Sequence, residues 1–154
     1  MEYLIVKWLH IVSSTLLFGT GIGSAFYMLF SSLSRDVRAI AVVSRHVVRA
    51  DWLFTATTVV FQPLSGFYMI HLAGYPFHST WIMWSVALYV LAGACWLPVV
   101  WIQMRLRDLA AEAARTNTDL PPQYWRLFKT WVALGVPAFA AFVVIFWLMV
   151  AKPM

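Results

Sequence analysis

Cysteine and acidic residues are scarce in this chain: it holds one cysteine, Cys95, and six Asp and Glu against eleven Lys and Arg. A single thiol excludes an intrachain disulfide and any cysteine-rich metal or iron–sulfur site. The acids fall at or beyond the ends of the apolar stretches. The mid-membrane carboxylates on which proton- or sodium-coupled transporters rely are therefore not expected. Also missing are a Cys-x-x-Cys-His haem attachment, a phosphate-cradling glycine loop, a metalloprotease motif and a nucleophile–base pair. Met1-Glu2-Tyr3 supplies no basic n-region, and the apolar run after it exceeds a typical h-region, so the first segment reads as a mature helix rather than a leader.

What fills the sequence instead is apolar surface. Hydrophobic residues make up 62%, aromatics 17% and charged residues only 11%, whereas a soluble domain is about half apolar or less. The composition is that of an integral membrane protein. The net charge of +5 does not point to nucleic acid, because the basic residues sit at segment ends beside apolar runs, where membrane orientation accounts for them.

Four apolar stretches, at about 3–30, 52–73, 80–103 and 127–150, each approach the ~20 residues a helix needs to cross the hydrocarbon. The expected fold is all-α: a four-transmembrane-helix antiparallel bundle with short loops, one integral membrane domain over residues 1–154. Between the first two spans, Arg38, Arg45 and Arg49 share one helical face and the valines another, which reads as an amphipathic lead-in lying at the membrane surface, with His46 on its watery side. Asp51 falls at the boundary of the second span, where Arg49 or another nearby basic residue can pair with it. Arg105, Asp108, Glu112 and Arg115 lie on one face and extend the third helix into water. Pro121-Pro122 then starts the fourth.

Pro63, Pro98 and Pro137 predict kinks, and Pro63 frees the Val59 carbonyl for Gln62 or a threonine to satisfy. Cys95 lies deep and apolar, where it packs as a small, unreactive side chain. Orientation follows from counting. Nine basic residues, from Arg35 to Lys129, fall in or beside the first and third connections, and only Lys7 and Lys152 lie opposite. The basic side is expected to be cytoplasmic, with both termini and the Gly74–Ser79 turn periplasmic.

The first span carries the residues most in need of explanation. Lys7 and His10 stand where a plain lipid anchor has leucine, and an ionisable group at that depth faces protein or cofactor by default. Gly19-x-x-x-Gly23 and Thr20-x-x-x-Ser24, with Gly21 between them, let another helix or a flat ligand approach the backbone. Helix counting from the outer ends puts His10 and His71 within about 5 Å of one depth. Two imidazoles on antiparallel helices at matched depth suit the axial ligands of haem b. Lys7 then lies near the propionates and Gly21 below the ring. Simple hydrogen bonding to neighbouring helices explains the same histidines, and Met28, Met69 and His78 keep a copper site open.

Several motifs carry a resemblance. Lys7-x-x-His10-Ile11, Gly19-Thr20-Gly21-x-Gly23-x-Ala25-Phe26-Tyr27, Ala50-Asp51-Trp52-x-Phe54-Thr55, Gly93-Ala94-Cys95-Trp96-Leu97-Pro98, Tyr124-x-Arg126-Leu127-Phe128 and Met149-Val150-Ala151-Lys152-Pro153 resemble, over nearly the whole chain, an uncharacterised family of small bacterial integral membrane proteins. More distantly, the Lys-x-x-His start and Lys-Pro end are similar to HemJ-type protoporphyrinogen oxidases, and the first motif to copper-resistance membrane proteins. The HemJ resemblance implies haem b at His10. Where HemJ proteins carry basic and histidine residues in the third helix, this chain has Trp84, Tyr89 and Cys95, so the resemblance carries haem binding further than it carries porphyrinogen oxidation.

Three functions follow as expectations for a bacterial inner-membrane protein. The first is a haem b redox protein with the cofactor near the periplasmic face, held by His10 and His71 and exchanging electrons with a quinone or a partner. The second is a cofactor-free accessory or assembly subunit of a larger membrane complex. The third is a copper-handling protein. A homo-oligomer is compatible with each.

Overall fold

The computed structural model describes residues 1–153. Five α-helices make up nearly all of them: α1 (Glu2–Ser34), α2 (Val37–Ala50), α3 (Ala56–Ala73), α4 (Thr80–Thr116) and α5 (Pro122–Ala151). Each boundary has a local cause. Asp36 caps α2, its Oδ1 accepting from the backbone N–H of Arg38 at 3.0 Å and of Ala39 at 3.2 Å. Gly74 closes α3 at φ 69°, a left-handed conformation that glycine adopts without a Cβ penalty. Pro122 opens α5, where its missing N–H costs no helical bond.

The structure corrects the reading of residues 34–49. They do not form a separate helix lying on the membrane surface: α2 runs into α3 through one π-helical turn, Asp51–Thr55, making a single rod, Val37–Ala73. Neither glycine nor proline stands between Val47 and Phe61 to stop it. The amphipathic face is real but turns inward onto protein. Ile40, Ala41, Ser44, Val47 and Val48 are buried, chiefly against α4 and α1, while Arg38, Arg45, His46 and Arg49 stay exposed. In the π turn the Ala56 N–H reaches back to the Asp51 carbonyl, five residues away instead of four.

Four rods, α1, α2 with α3, α4 and α5, are long and apolar enough to cross a membrane. They pack as two closely matched pairs, α1 with α3 and α4 with α5, and α2 joins them by lying against α4. Most of the core sits at the basic end, around Met28, Ile40, Leu106, Tyr124, Phe128 and Trp131. A smaller cluster of Ile70, Trp81, Ile82 and Leu148 closes the opposite end. The outer flanks are apolar, with Leu97, Trp147 and Val150 among many large exposed side chains. Patches of that extent suit lipid, not water. Beyond them at the basic end the predicted helical extension is present, with Arg115 paired to Glu112 and Arg107 to Asp108.

Candidate functional site: a lateral cavity beside a polar seam

Asp51, Thr55, Thr58, Gln62 and Ser65 recur every three or four residues along one face of the second rod, and all five are buried. In lipid, such groups are stable only when they bond to one another or to a neighbouring helix. The upper part of this seam meets α1. The Gln62 amide donates to the His10 carbonyl at 3.0 Å, and His10 Nδ1 lies 2.7 Å from Ser65 Oγ. The Ser65 hydroxyl also lies 2.8 Å from the Phe61 carbonyl one turn earlier on its own helix. Gly66 makes this approach close: a Cβ there would stand 3.4 Å from the His10 ring.

The lower part of the seam differs from the sequence expectation. Asp51 forms no ion pair with Arg49; it is 5% exposed and accepts from Thr55 Oγ1 at 3.0 Å, with the Gln103 amide beside it. The carbonyl of Val59, freed by Pro63, is satisfied neither by Gln62 nor by a threonine. Tyr89 crosses from α4 and donates its hydroxyl to it at 2.7 Å, one of the links between α3 and α4.

Next to Asp51 and Thr55 the bundle encloses a cavity of about 370 Å³, within the range of small-molecule sites. Its walls come from all four rods and are overwhelmingly apolar, with Gly21 of α1, Gly93 of α4 and Gly135 of α5 among them. A Cβ added at any of these three glycines meets nothing within 4 Å. They leave space here; they do not seat a neighbouring helix. The same is true of Gly19 and Gly23, so the small-x-x-x-small stripe packs no helix of this chain.

Two of the rods that line it, α1 and α5, are not closely packed against each other. These helices are bridged near the middle by Phe18, stacked on Phe139 at 5.6 Å and edge-on to Phe146 at 5.2 Å, and at the basic end by a 2.8 Å hydrogen bond between Ser32 and Tyr124. Elsewhere their backbones stay apart. Phe26 of α1 and Val136 and Phe139 of α5 line the cavity and are exposed.

Three residues that line the cavity also hold a buried polar atom with no hydrogen-bond partner among the described residues: the indole nitrogens of Trp96 and Trp131 and the Gln103 side-chain oxygen. Gln103 is 4% and Trp131 7% exposed. A buried polar group left unpaired costs about 1–3 kcal/mol.

The residues singled out in the sequence are distributed unevenly around this site. Gly21 lines the cavity; His10 belongs to the seam and does not. Lys7 is exposed, its ammonium 5.9 Å from the Tyr3 ring. His71 is exposed and lies about two and a half helical turns beyond Gln62, which puts it on the side of α3 away from α1. The structure thus brings His10 to Ser65 and Gln62 and does not bring His71 to His10. Met28 is buried in the core of the basic end, and no group of three or more His, Cys, Asp or Glu side chains is placed to share a metal among the described residues. Sequence reasoning missed Trp96, Gln103 and Trp131. Trp96 and Gln103 lie about two turns apart on one face of α4, but so do many residues that only pack, and their lack of partners is visible only in three dimensions.

These features define a polytopic helical membrane protein with an apolar cavity inside the bundle. The chain belongs to the family described as "Predicted integral membrane protein (DUF2269)", whose model matches residues 4–153. No curated protein and no solved structure matches it.

Proposed function

We propose that this protein binds a lipid-soluble small molecule, taken laterally from the bilayer through the window between α1 and α5, with the basic end of the bundle facing the cytoplasm of a bacterial inner membrane. The observation that carries the reading is the chamber itself: about 370 Å³, apolar and glycine-lined, with exposed apolar side chains such as Phe26, Val136 and Phe139 among its walls. A chamber of this kind is filled in a membrane by whatever the bilayer supplies. Ring compounds suit it better than acyl tails because aromatic side chains, among them Phe18, Tyr89, Trp96, Trp131 and Phe139, form much of its wall. The basic residues of the first and third connections support the orientation.

A second reading, a haem b redox protein with the cofactor near the periplasmic face, draws on a different observation. His10 is held by Ser65 through Nδ1, and a histidine fixed at one ring nitrogen presents the other as a metal ligand. This would be a single-histidine site from these helices, since His71 faces elsewhere, and it would lie outside the cavity.

One preparation tests both. The full-length protein is purified in mild detergent, extracted with organic solvent and analysed by mass spectrometry, after a reduced-minus-oxidised spectrum has been recorded. The cavity reading expects one class of neutral ring compound enriched close to one per protein. It fails if only bulk membrane lipid is recovered in membrane proportions. A Soret band lost in the His10→Ala variant is what the haem reading requires.

A further inference from the structure

We infer that the basic end of the bundle carries a binding surface for anionic phospholipids, built from Arg45, Arg49 and Arg105 where the second rod and α4 leave the hydrocarbon. The inference stands apart from the cavity reading and adds a second kind of ligand at a different place. It starts from charges that the fold leaves free. Asp108 and Glu112, two of the acids at this end, are already held by Arg107 and Arg115. Arg45, Arg49 and Arg105 are exposed, and none of them has a carboxylate within ion-pair distance among the described residues.

The helices set the depth. A short turn joins α3 to α4, so α4 runs antiparallel to the second rod, and Gln103 stands beside Asp51. Arg49 and Arg105 each lie two residues nearer the basic end than that pair, about 3 Å, which puts the two arginines at one level. Leu97, Trp101 and Arg105 follow one another at spacings of four and form one exposed stripe along α4. Arg45, Arg49 and Leu53 do the same on the second rod, with exposed Trp52 beside Leu53. On both rods, then, an exposed apolar stripe reaches a tryptophan and ends one turn later in an unpaired guanidinium. Indole rings favour the boundary between hydrocarbon and headgroups, so arginines one turn beyond them stand in the phosphate layer. A guanidinium offers a phosphodiester two parallel N–H donors. A zwitterionic lipid brings its own ammonium to that phosphate, whereas an anionic lipid leaves the charge for arginine to meet. Continuity with the apolar stripes favours lipid over an acidic protein as the occupant, because a partner in water would meet charges set beyond the membrane surface.

The test places full-length protein in nanodiscs of equal parts phosphatidylglycerol and phosphatidylcholine with the same acyl chains. Native mass spectrometry then counts the lipids that stay bound on release. A basic side chain near an anionic surface contributes about a factor of five, so wild type is expected to retain phosphatidylglycerol over phosphatidylcholine about tenfold or more. Replacing Arg45, Arg49 and Arg105 together with glutamine is expected to lower that ratio at least about fivefold. The triple lysine variant keeps the charge and is expected to keep most of the ratio. Arg115→Gln, which removes an arginine already paired with Glu112, is expected to change it less than about twofold. Equilibrating wild type in about 1 M ammonium acetate, where the Debye length is about 3 Å, tests the same attraction without a substitution and is expected to cut the ratio. A wild-type ratio near one, a ratio indifferent to salt, or a folded triple glutamine variant that keeps the wild-type ratio overturns the inference. So does a wild-type ratio near one with an acidic protein that co-purifies with wild type and is lost from the triple variant, since the arginines then serve a protein partner.

Discussion

Replacing Gly93 and Gly135 together with leucine is expected to lower the amount of ligand recovered with the protein about 100-fold or more, with no loss of thermal stability. Both side chains would grow into open space, since a Cβ at either position meets nothing within 4 Å. The stability side follows from the helix: each glycine in a helix interior costs about 1 kcal/mol relative to alanine, so removing two stabilises the fold if nothing clashes. A 100-fold loss corresponds to about 2.7 kcal/mol, which is the burial of only about 110 Å² of apolar ligand surface. Two leucines inside a chamber of about 370 Å³ displace at least that much contact. Ligand extraction with a melting curve on the same sample checks both halves. Unchanged ligand recovery in a stable double variant would mean that the ligand sits elsewhere.

The second large effect concerns the end of the bundle that holds the chamber together. Tyr124 is fully buried, stacks on Phe128 with ring centres 6.3 Å apart, and shares a 2.8 Å hydrogen bond with Ser32 of α1. Tyr124→Ala is expected to destabilise the protein by about 3–5 kcal/mol, the range for emptying an aromatic site in a packed core. Tyr124→Phe keeps the ring and loses one hydrogen bond, so it is expected to cost about 1–2 kcal/mol, including the unpaired Ser32 hydroxyl. Detergent-denaturation curves of the two variants separate the contributions. Equal losses would mean that the hydroxyl, not the packing, fastens α1 to α5.

The contrast between those two sites shows what a sequence of this kind discloses. The spans were legible because about twenty apolar residues in a row have few other uses, and the caps were legible because Gly74 and Pro122 act locally. The merging of α2 with α3 was not. An arginine-bearing amphipathic stretch reads the same whether its apolar face meets headgroups or α4, and a π turn leaves no mark in composition. Asp51 was misplaced for the same reason: a carboxylate beside Arg49 invites an ion pair, yet the π turn points it inward to Thr55.

The functional residues divide along the same line. His10 stood out because an imidazole among leucines has to be explained, and its partners, Ser65 and Gln62, became visible only once the rods were paired. Gly21 stood out for its spacing, and its place in the cavity wall gives that spacing a use other than helix packing. Trp96, Gln103 and Trp131 gave no signal at all. Tryptophan in a membrane helix is ordinary, and what distinguishes these indoles is a buried nitrogen with no partner among the described residues.

The central claim is that the bundle holds a chamber continuous with lipid and closed to water. A nitroxide attached at Gly135→Cys in a Cys95→Ala background, with the protein in nanodiscs, reports it through collisions with oxygen, which dissolves in lipid, and with a water-soluble nickel chelate. Labels at Leu97→Cys, on the exposed apolar flank, and at Arg49→Cys, on the exposed basic face, set the two scales. The account predicts oxygen collisions close to those at position 97 and nickel collisions far below those at position 49. A nickel signal matching position 49 would make the chamber an aqueous cleft, and a label shielded from both reagents would mean that no opening to the bilayer exists.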